Sequence, residues 1–101
     1  MNKGYKTFAE FYPFYLSEHS DRTCRRLHFT GSALVLVTVL YAISTQNWLA
    51  LFALPFLGYG FAWVGHFFFE KNRPATFTYP LYSLIGDWVM LKDILIGKMR
   101  F

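Results

Sequence analysis

Charged residues are missing from one long stretch of this chain, which holds no Lys, Arg, Asp or Glu between Leu27 and Phe69. They make up only 16% of the sequence, below the ~25% of an ordinary soluble domain. A single cysteine, Cys24, excludes a disulfide framework within the chain. Hydrophobic residues, by contrast, reach 54% and aromatic residues 22% of 101 positions. A soluble domain this small cannot bury so much apolar surface, so the composition predicts a membrane protein.

The uncharged stretch is too long for one membrane helix, which needs about 20 apolar residues. It fits two helices joined by the polar turn Ser44-Thr45-Gln46-Asn47. We predict spans over roughly 24–44 and 47–70, with Thr23 as the N-cap of the first and Pro55 kinking the second. Small residues in both spans predict close helix packing. They are Gly31, Ser32 and Ala33 in the first span and Gly58, Ala62 and Gly65 in the second.

Two amphipathic segments flank the predicted hairpin. Residues 5–17 carry aromatic side chains at helical spacing around Pro13, and residues 80–97 carry an apolar stripe interrupted by three charged residues. We interpret both as interfacial or partly inserted helices, and a complete third span over 80–97 stays open as an alternative. The sequence thus predicts an all-α fold, with a central transmembrane hairpin flanked by N- and C-terminal helices in one membrane-embedded domain over residues 1–101.

Basic residues cluster on both flanks of the hairpin, and the connecting turn has no charge. The positive-inside rule therefore places both termini in the cytoplasm. We expect an integral membrane protein, in the inner membrane of a bacterium or the endoplasmic reticulum of a eukaryote. Because the charges flank membrane spans, they do not favour a nucleic-acid partner. The basic residues are Lys3, Lys6, Arg22, Arg25 and Arg26 before the hairpin, and Lys71, Arg73, Lys92, Lys98 and Arg100 after it.

All three histidines of the chain map to the cytoplasmic end of this hairpin. A hairpin returns its two ends to one side, so His28 and His66 should lie side by side, with His19 just upstream. Glu70 follows His66 by four residues and shares its helix face. Imidazole and carboxylate are the usual ligands of non-haem iron, and ionisable groups at membrane depth tend to be functional. The spacing alone leaves two readings open, a metal site and a set of hydrogen-bonded structural histidines.

Three blocks of the chain resemble the Mpo-like membrane family, which includes the fungal endoplasmic-reticulum 2-hydroxy fatty acid dioxygenase. The resemblance covers nearly the whole chain, and the spacing GH-x3-EK-x-RPA is its most specific part. The blocks are FYPFYLSEH at 11–19, RRLHF at 25–29 and GHFFFEKNRPA at 65–75.

The resemblance implies an iron(II)-dependent dioxygenase that removes one carbon from 2-hydroxy long-chain fatty acids and uses O2. The family's essential histidines fall on His19, His28 and His66, which are the expected metal ligands. Glu70 is expected either to ligate the metal or to orient a histidine. Arg73 is expected to hold the substrate carboxylate, because a guanidinium binds a carboxylate through two hydrogen bonds.

The expected partners are thus a 2-hydroxy fatty acid, O2 and membrane lipids, and self-association stays open. Arg26 is the alternative to Arg73 as the carboxylate-binding residue. The acyl tail should approach sideways from the bilayer, because a lipid substrate with a polar head suits a site at the membrane surface. The side chains expected around the tail are Leu34, Tyr59, Phe67 and Phe68.

Two functions from other classes stay open at the level of the sequence. His28 and His66 on adjacent helices could ligate a b-type haem axially in a small electron carrier. A lipid-binding or structural module without catalysis would instead use the basic flanks for anionic headgroups. An intense visible absorption band would identify the haem protein, whereas the module would bind lipid without its histidines.

Overall fold

The computed structural model describes residues 4–101, so Lys3, one of the residues used to predict topology, lies outside the described residues. Within 4–101 the chain forms helices and no strand, which confirms the predicted all-α class. A short 3-10 turn over Ala75–Phe77 links the last two of four helices. The helices are α1 (Phe8–Ser17), α2 (Arg22–Thr45), α3 (Trp48–Glu70) and α4 (Pro80–Leu95).

Helices α2 and α3 form the predicted hairpin and are long and apolar enough to cross a membrane, with 24 and 23 residues. Gln46 ends α2 in the left-handed conformation (φ 55°), which turns the chain toward α3. Most apolar side chains of the two helices face outward, as lipid contact would require. Helix α4 has 16 residues, fewer than the roughly 20 needed for a span. Within residues 4–101, only α2 and α3 therefore meet the length requirement.

The start of α2 differs from the prediction. Asp21, and not Thr23, is the N-cap, and its carboxylate accepts a hydrogen bond from the Cys24 N–H at 3.0 Å. Asp21 has the extended backbone of an N-cap (φ −73°, ψ 130°), whereas Thr23 already lies inside the first turn. A carboxylate is also the better acceptor for the free N–H groups of a helix start.

Helix α3 is irregular around Pro55, where the sequence predicts a kink. It winds as a 3-10 helix over Trp48–Ala53 and as a π-helix over Phe56–Gly60. Proline has no N–H, so the regular α-helical bond cannot form at this point. A second π-helical segment, Gly65–Glu70, carries His66 near the end of the helix. Such segments occur frequently at functional sites.

Two glycines bring the backbones of α2 and α3 together, as the small-residue pattern predicts. A Cβ atom at Gly31 would lie 2.7 Å from the Leu57 carbonyl oxygen, which is closer than atoms can pack. A Cβ atom at Gly65 would lie 3.0 Å from the Cys24 Sγ. The second contact is one turn from His28 and next to His66, so it draws these two histidines together.

Helix α1 packs on α4 through an aromatic core. Phe11 and Tyr15 of α1 are fully buried and pack with Tyr79 and Met90. The Phe11 and Tyr79 ring centroids lie 5.3 Å apart. The aromatic side chains of α1 therefore pack largely against protein, and this packing fixes the end of α1 beside the hairpin.

Two tyrosine–aspartate hydrogen bonds also join α1 to α4. The Tyr12 hydroxyl donates to Asp93 Oδ2 at 2.8 Å, and the Tyr15 hydroxyl donates to Asp87 Oδ1. Close backbone approach supports the second bond, because a Cβ atom at Gly86 would lie 2.9 Å from the Tyr15 ring. The two pairs are similar in chemistry but differ in position, since only Asp87 reaches the histidines.

Candidate metal centre

His19, His28 and His66 converge at the end of the hairpin where α2 begins and α3 ends. Their exposed fractions are 1%, 6% and 2%. The ring centroids are 4.3 Å apart for His19 and His28, 4.6 Å for His19 and His66, and 5.0 Å for His28 and His66. Each ring offers one nitrogen within 4.8 Å of the other two. The structure thus brings together the three histidines that the sequence predicts as one group.

Hydrogen bonds from both sides hold the loop that carries His19. The Arg25 guanidinium donates to the carbonyl oxygens of His19 at 3.1 Å and Ser20 at 2.9 Å. Glu70 accepts from the Ser20 hydroxyl and from the Asp21 N–H, both at 2.7 Å. Residues from both hairpin helices therefore fix the loop between α1 and α2.

This arrangement places the Glu70 carboxylate away from the convergent ring nitrogens. The four-residue spacing puts Glu70 near the His66 face, but the Ser20 hydroxyl and the Asp21 N–H, in the loop before α2, take both carboxylate oxygens. The side chain that contacts the His66 ring is instead Asn72. Asn72 stands at the x of EK-x-RPA, a position for which the motif specifies no residue, so the motif did not point to it.

A backbone carbonyl fixes the tautomer of His19. The Nδ1 atom lies 2.6 Å from the Tyr15 carbonyl oxygen, which can only accept a hydrogen bond. Nδ1 therefore carries the proton, and the Nε2 lone pair points toward the other histidines. The His19 ring also stacks on the Tyr15 ring, with centroids 4.1 Å apart.

Asn72 fixes the tautomer of His66 in the same way. Its amide nitrogen donates to the Glu18 carbonyl oxygen at 3.1 Å and to Glu18 Oε1 at 3.2 Å. The amide oxygen must therefore face the His66 Nδ1 atom, which lies 2.7 Å away and donates to it. His66 Nε2 is left with a free lone pair. Metal-ligating histidines usually donate their second N–H to an oxygen acceptor in this manner.

The spacing of the ring nitrogens fits one bound metal ion. The Nε2 atoms of His19 and His28 are 3.1 Å apart. Two metal–nitrogen bonds of about 2.1 Å that meet at about 95° span this distance. His28 Nδ1 is buried and has no hydrogen-bond partner among residues 4–101. Three neutral imidazoles suit zinc, copper, iron or nickel, so the donor set fits a metal but does not select iron.

Burial also favours the neutral form of the histidine that lies outside the predicted spans. Loss of hydration lowers the pKa of His19 to about 3, and its hydrogen bond to the Tyr15 carbonyl offsets part of this effect. His19 is therefore neutral at physiological pH, and neutral imidazole is the form that binds metals.

Asp87 of α4 is a site residue that the sequence did not single out. Its Oδ1 atom accepts the Tyr15 hydroxyl hydrogen bond and lies 3.7 Å from His28 Nε2. Burial raises the pKa of the Asp87 carboxyl to about 6, against the opposing effect of the Tyr15 hydrogen bond. One signal was available, because a carboxylate inside an apolar helix is expensive and often functional.

The two arginines considered for the substrate carboxylate lie outside the histidine cluster. Arg73 is exposed, with its guanidinium 5.2 Å from the centroid of the Phe77 ring. Arg26 lies 4.9 Å from the Phe101 ring centroid and donates to the Phe101 carbonyl oxygen at 3.3 Å. Arg26 is thus already engaged by the C-terminal residue.

An apolar cavity of about 260 Å³ lies beside the cluster, between α2, α3 and α4. Of the four side chains expected around the acyl tail, Tyr59 lines this cavity, whereas Leu34, Phe67 and Phe68 are exposed on the outer surface. The full lining is Ser32, Val35, Leu54, Pro55, Gly58, Tyr59, Leu84, Asp87 and Trp88.

The fold and the site together define a small helical protein with two potential membrane helices and a buried three-histidine cluster. The chain belongs to the family described as 2-hydroxy-palmitic acid dioxygenase Mpo1-like, whose model matches residues 5–99. This match confirms the predicted family. No curated protein and no solved structure shows significant similarity to the chain.

Proposed function

We propose that this protein is an iron(II)-dependent dioxygenase that removes one carbon from 2-hydroxy long-chain fatty acids at a membrane surface. The observation that carries the proposal is the buried convergence of His19, His28 and His66. Hydrogen bonds from Nδ1 hold two of these rings with Nε2 directed inward. Family membership supports the reaction class and the substrate.

The reaction converts a 2-hydroxy acid and O2 into the acid shortened by one carbon, CO2 and water. The C1–C2 bond breaks, the substrate loses four electrons and O2 accepts them. His19, His28 and His66 would hold the iron, which brings the two reactants together and moves charge between them. The protein contributes neutral ligands, fixed ring orientations and a buried setting that limits access of water to the reacting groups.

Two further residues have proposed roles outside the ligand set. Arg73 would bind the substrate carboxylate, which its exposed guanidinium suits in charge and shape. Glu70 would act as a positioning residue, because its hydrogen bonds to Ser20 and Asp21 hold the loop that carries His19. Neither role requires contact with the metal.

The geometry disfavours the haem alternative. A haem between His28 and His66 needs open space on all sides for the macrocycle. The His19 ring occupies that region, with its centroid 4.3 Å from His28 and 4.6 Å from His66. A lipid-binding module without catalysis predicts no turnover, so the product assay below separates it from the enzyme.

Product analysis tests the proposed function. After anaerobic loading with iron(II) and exposure to O2, the purified protein should convert 2-hydroxypalmitate to the fifteen-carbon acid and leave palmitate unchanged. The 2-hydroxy acid presents two adjacent oxygens to one centre, whereas palmitate presents only its carboxylate. The two acids are tested in separate reactions, and mass spectrometry of the extracted lipids measures the fifteen-carbon acid formed in each. Equal conversion of the two acids, or of neither, would contradict the proposal.

The variant Arg73→Ala, measured in the same assay, tests the proposed role of this arginine in binding the substrate carboxylate. It should raise the KM for 2-hydroxypalmitate at least about tenfold, since a hydrogen bond to a charged group contributes roughly 1.5–3 kcal/mol. Its iron content should equal that of the unmodified protein. A loss of iron would show that Arg73 has a structural role.

We propose an integral membrane location with both termini in the cytoplasm, on the strength of the two apolar helices and their basic flanks. In a chain carrying Cys24→Ala, Gln46→Cys should react with an impermeant maleimide only from the non-cytoplasmic side. Lys98→Cys should react only from the cytoplasmic side. Labelling of Gln46→Cys from the cytoplasm would refute the topology.

A further inference from the structure

We propose that the cavity beside the histidines holds the first part of the substrate's acyl chain, and that Asp87 recognises its 2-hydroxyl group. Asp87 would thus determine specificity for the hydroxylated acid. The inference rests on the proposed function and adds a residue and a cavity to it. Three observations carry it: the position of the cavity along α2, the free oxygen of Asp87, and the contrast with Asp93.

The cavity lies along the middle of the hairpin, on the face of α2 that also carries His28. Ser32 and Val35 line it, and they follow His28 by one and two helical turns on the same face of α2. At a rise of 1.5 Å per residue, they lie about 6 and 10 Å along the axis from His28. Asp87 lines the cavity and lies 3.7 Å from His28 Nε2, so this side chain connects the cavity to the histidine cluster.

The chemistry of the lining fits a linear molecule with one polar end. Asp87 contributes the only formal charge among the lining residues, and most of the others are apolar. Tyr59 and Trp88 line the cavity and are also partly exposed on the outer surface. A fatty acid can place its head near His28 and its tail along this path. Ligand sites of this kind combine an apolar lining with a few placed polar groups.

Asp87 is arranged to accept one more hydrogen bond. Its Oδ1 atom makes the contacts with the Tyr15 hydroxyl and with His28. Among residues 4–101, no donor is hydrogen bonded to Oδ2, and the side chain is 25% exposed beside the cavity. A hydroxyl on the carbon next to the substrate carboxylate would donate to this oxygen. Palmitate has no such donor and would leave the carboxylate oxygen without a partner.

Asp93 provides a matched control on the same helix. It also accepts a hydrogen bond from a tyrosine of α1, Tyr12, but it does not line the cavity or contact a histidine. If Asp87 serves only to join α1 to α4, then Asp93→Asn and Asp87→Asn should have similar effects. If Asp87 recognises the hydroxyl, only Asp87→Asn should change the selectivity.

Trp88 can report binding directly, because it lines the cavity. In a full-length chain carrying Trp48→Phe and Trp63→Phe, Trp88 is the only tryptophan. Its fluorescence would be quenched by 9,10-dibromo-2-hydroxystearate and by 9,10-dibromostearate, each titrated into detergent-solubilised protein. The titrations use EDTA-treated protein, so neither chelation of a metal nor turnover contributes to the preference.

The hydroxylated probe should half-saturate the quenching at a concentration roughly tenfold lower than the unhydroxylated probe, as one hydrogen bond to a charged acceptor allows. Asp87→Asn should reduce this ratio towards one, because the Tyr15 hydroxyl takes the amide oxygen and the charged acceptor that faces the 2-hydroxyl is replaced by a neutral N–H donor. Asp87→Ala should do the same, and Asp93→Asn should keep the tenfold ratio. Each variant's helicity is measured by circular dichroism, so that only folded protein is compared.

Three results would overturn the inference: equal binding of both probes to the reference chain, a retained preference in both Asp87 variants, or equal loss in Asp93→Asn. Failure of the proposed function has a different signature. In that case iron-loaded protein would not shorten 2-hydroxypalmitate, even if the metal-free protein preferred the hydroxylated probe.

Discussion

Replacing His19, His28 or His66 singly with alanine should lower the affinity for iron(II) by more than 100-fold. Loss of a residue that merely orients a ligand costs 10–100-fold, so loss of a ligand itself should exceed that range. After anaerobic loading and gel filtration, elemental analysis should find about one iron ion per chain in the unmodified protein and almost none in each variant.

Tyr12→Phe is the matched control for this series. It removes a hydroxyl from the α1–α4 interface, where Tyr12 donates to Asp93 and has no contact with the histidines. Its iron content should stay near one per chain. Full retention of iron in any single histidine variant would remove that residue from the ligand set. Loss of iron in Tyr12→Phe would show that metal content reports general packing of α1.

The hairpin and the grouping of its histidines were predictable, because both follow from where charged residues and histidines stand along the sequence. An uncharged stretch longer than one span requires a turn, and a turn places His28 and His66 at one end. Gly31 and Gly65 also follow from a general rule, since close helix packing needs small residues. These features depend on periodicity along one or two helices.

The residues that complete the site depend on contacts between distant segments, which periodicity does not encode. Asn72 reaches His66 because the chain reverses at Lys71, whose left-handed backbone (φ 60°) ends α3. Asp87 reaches the cluster because α4 packs across α1 and brings the Tyr15–Asp87 pair to His28. Glu70 was assigned from its spacing to His66, yet its partners come from the loop before α2.

Replacing Asn72 with alanine should weaken metal binding 10–100-fold, the range measured for residues that orient metal ligands. Without the amide oxygen, the His66 ring can rotate and its proton can move to Nε2, which removes the lone pair from the site. The affinity is measured by competition between the purified protein and a chelator for cobalt(II), so the readout does not depend on catalysis. Binding within twofold of the unmodified protein would show that Asn72 does not orient His66.

Asn72→Asp separates orientation of the ring from simple packing. A carboxylate can still accept from His66 Nδ1, but it loses the amide donor and faces Glu18 Oε1, which lies 3.2 Å from the amide nitrogen. This repulsion should weaken cobalt binding. Adding Glu18→Gln supplies a new amide donor to the carboxylate, so the double variant should recover most of the lost affinity. Because Glu18→Gln touches neither the metal nor a histidine directly, such recovery would show that the hydrogen-bonded chain Glu18–Asn72–His66 sets the ligand geometry. A double variant as weak as Asn72→Asp would refute that chain.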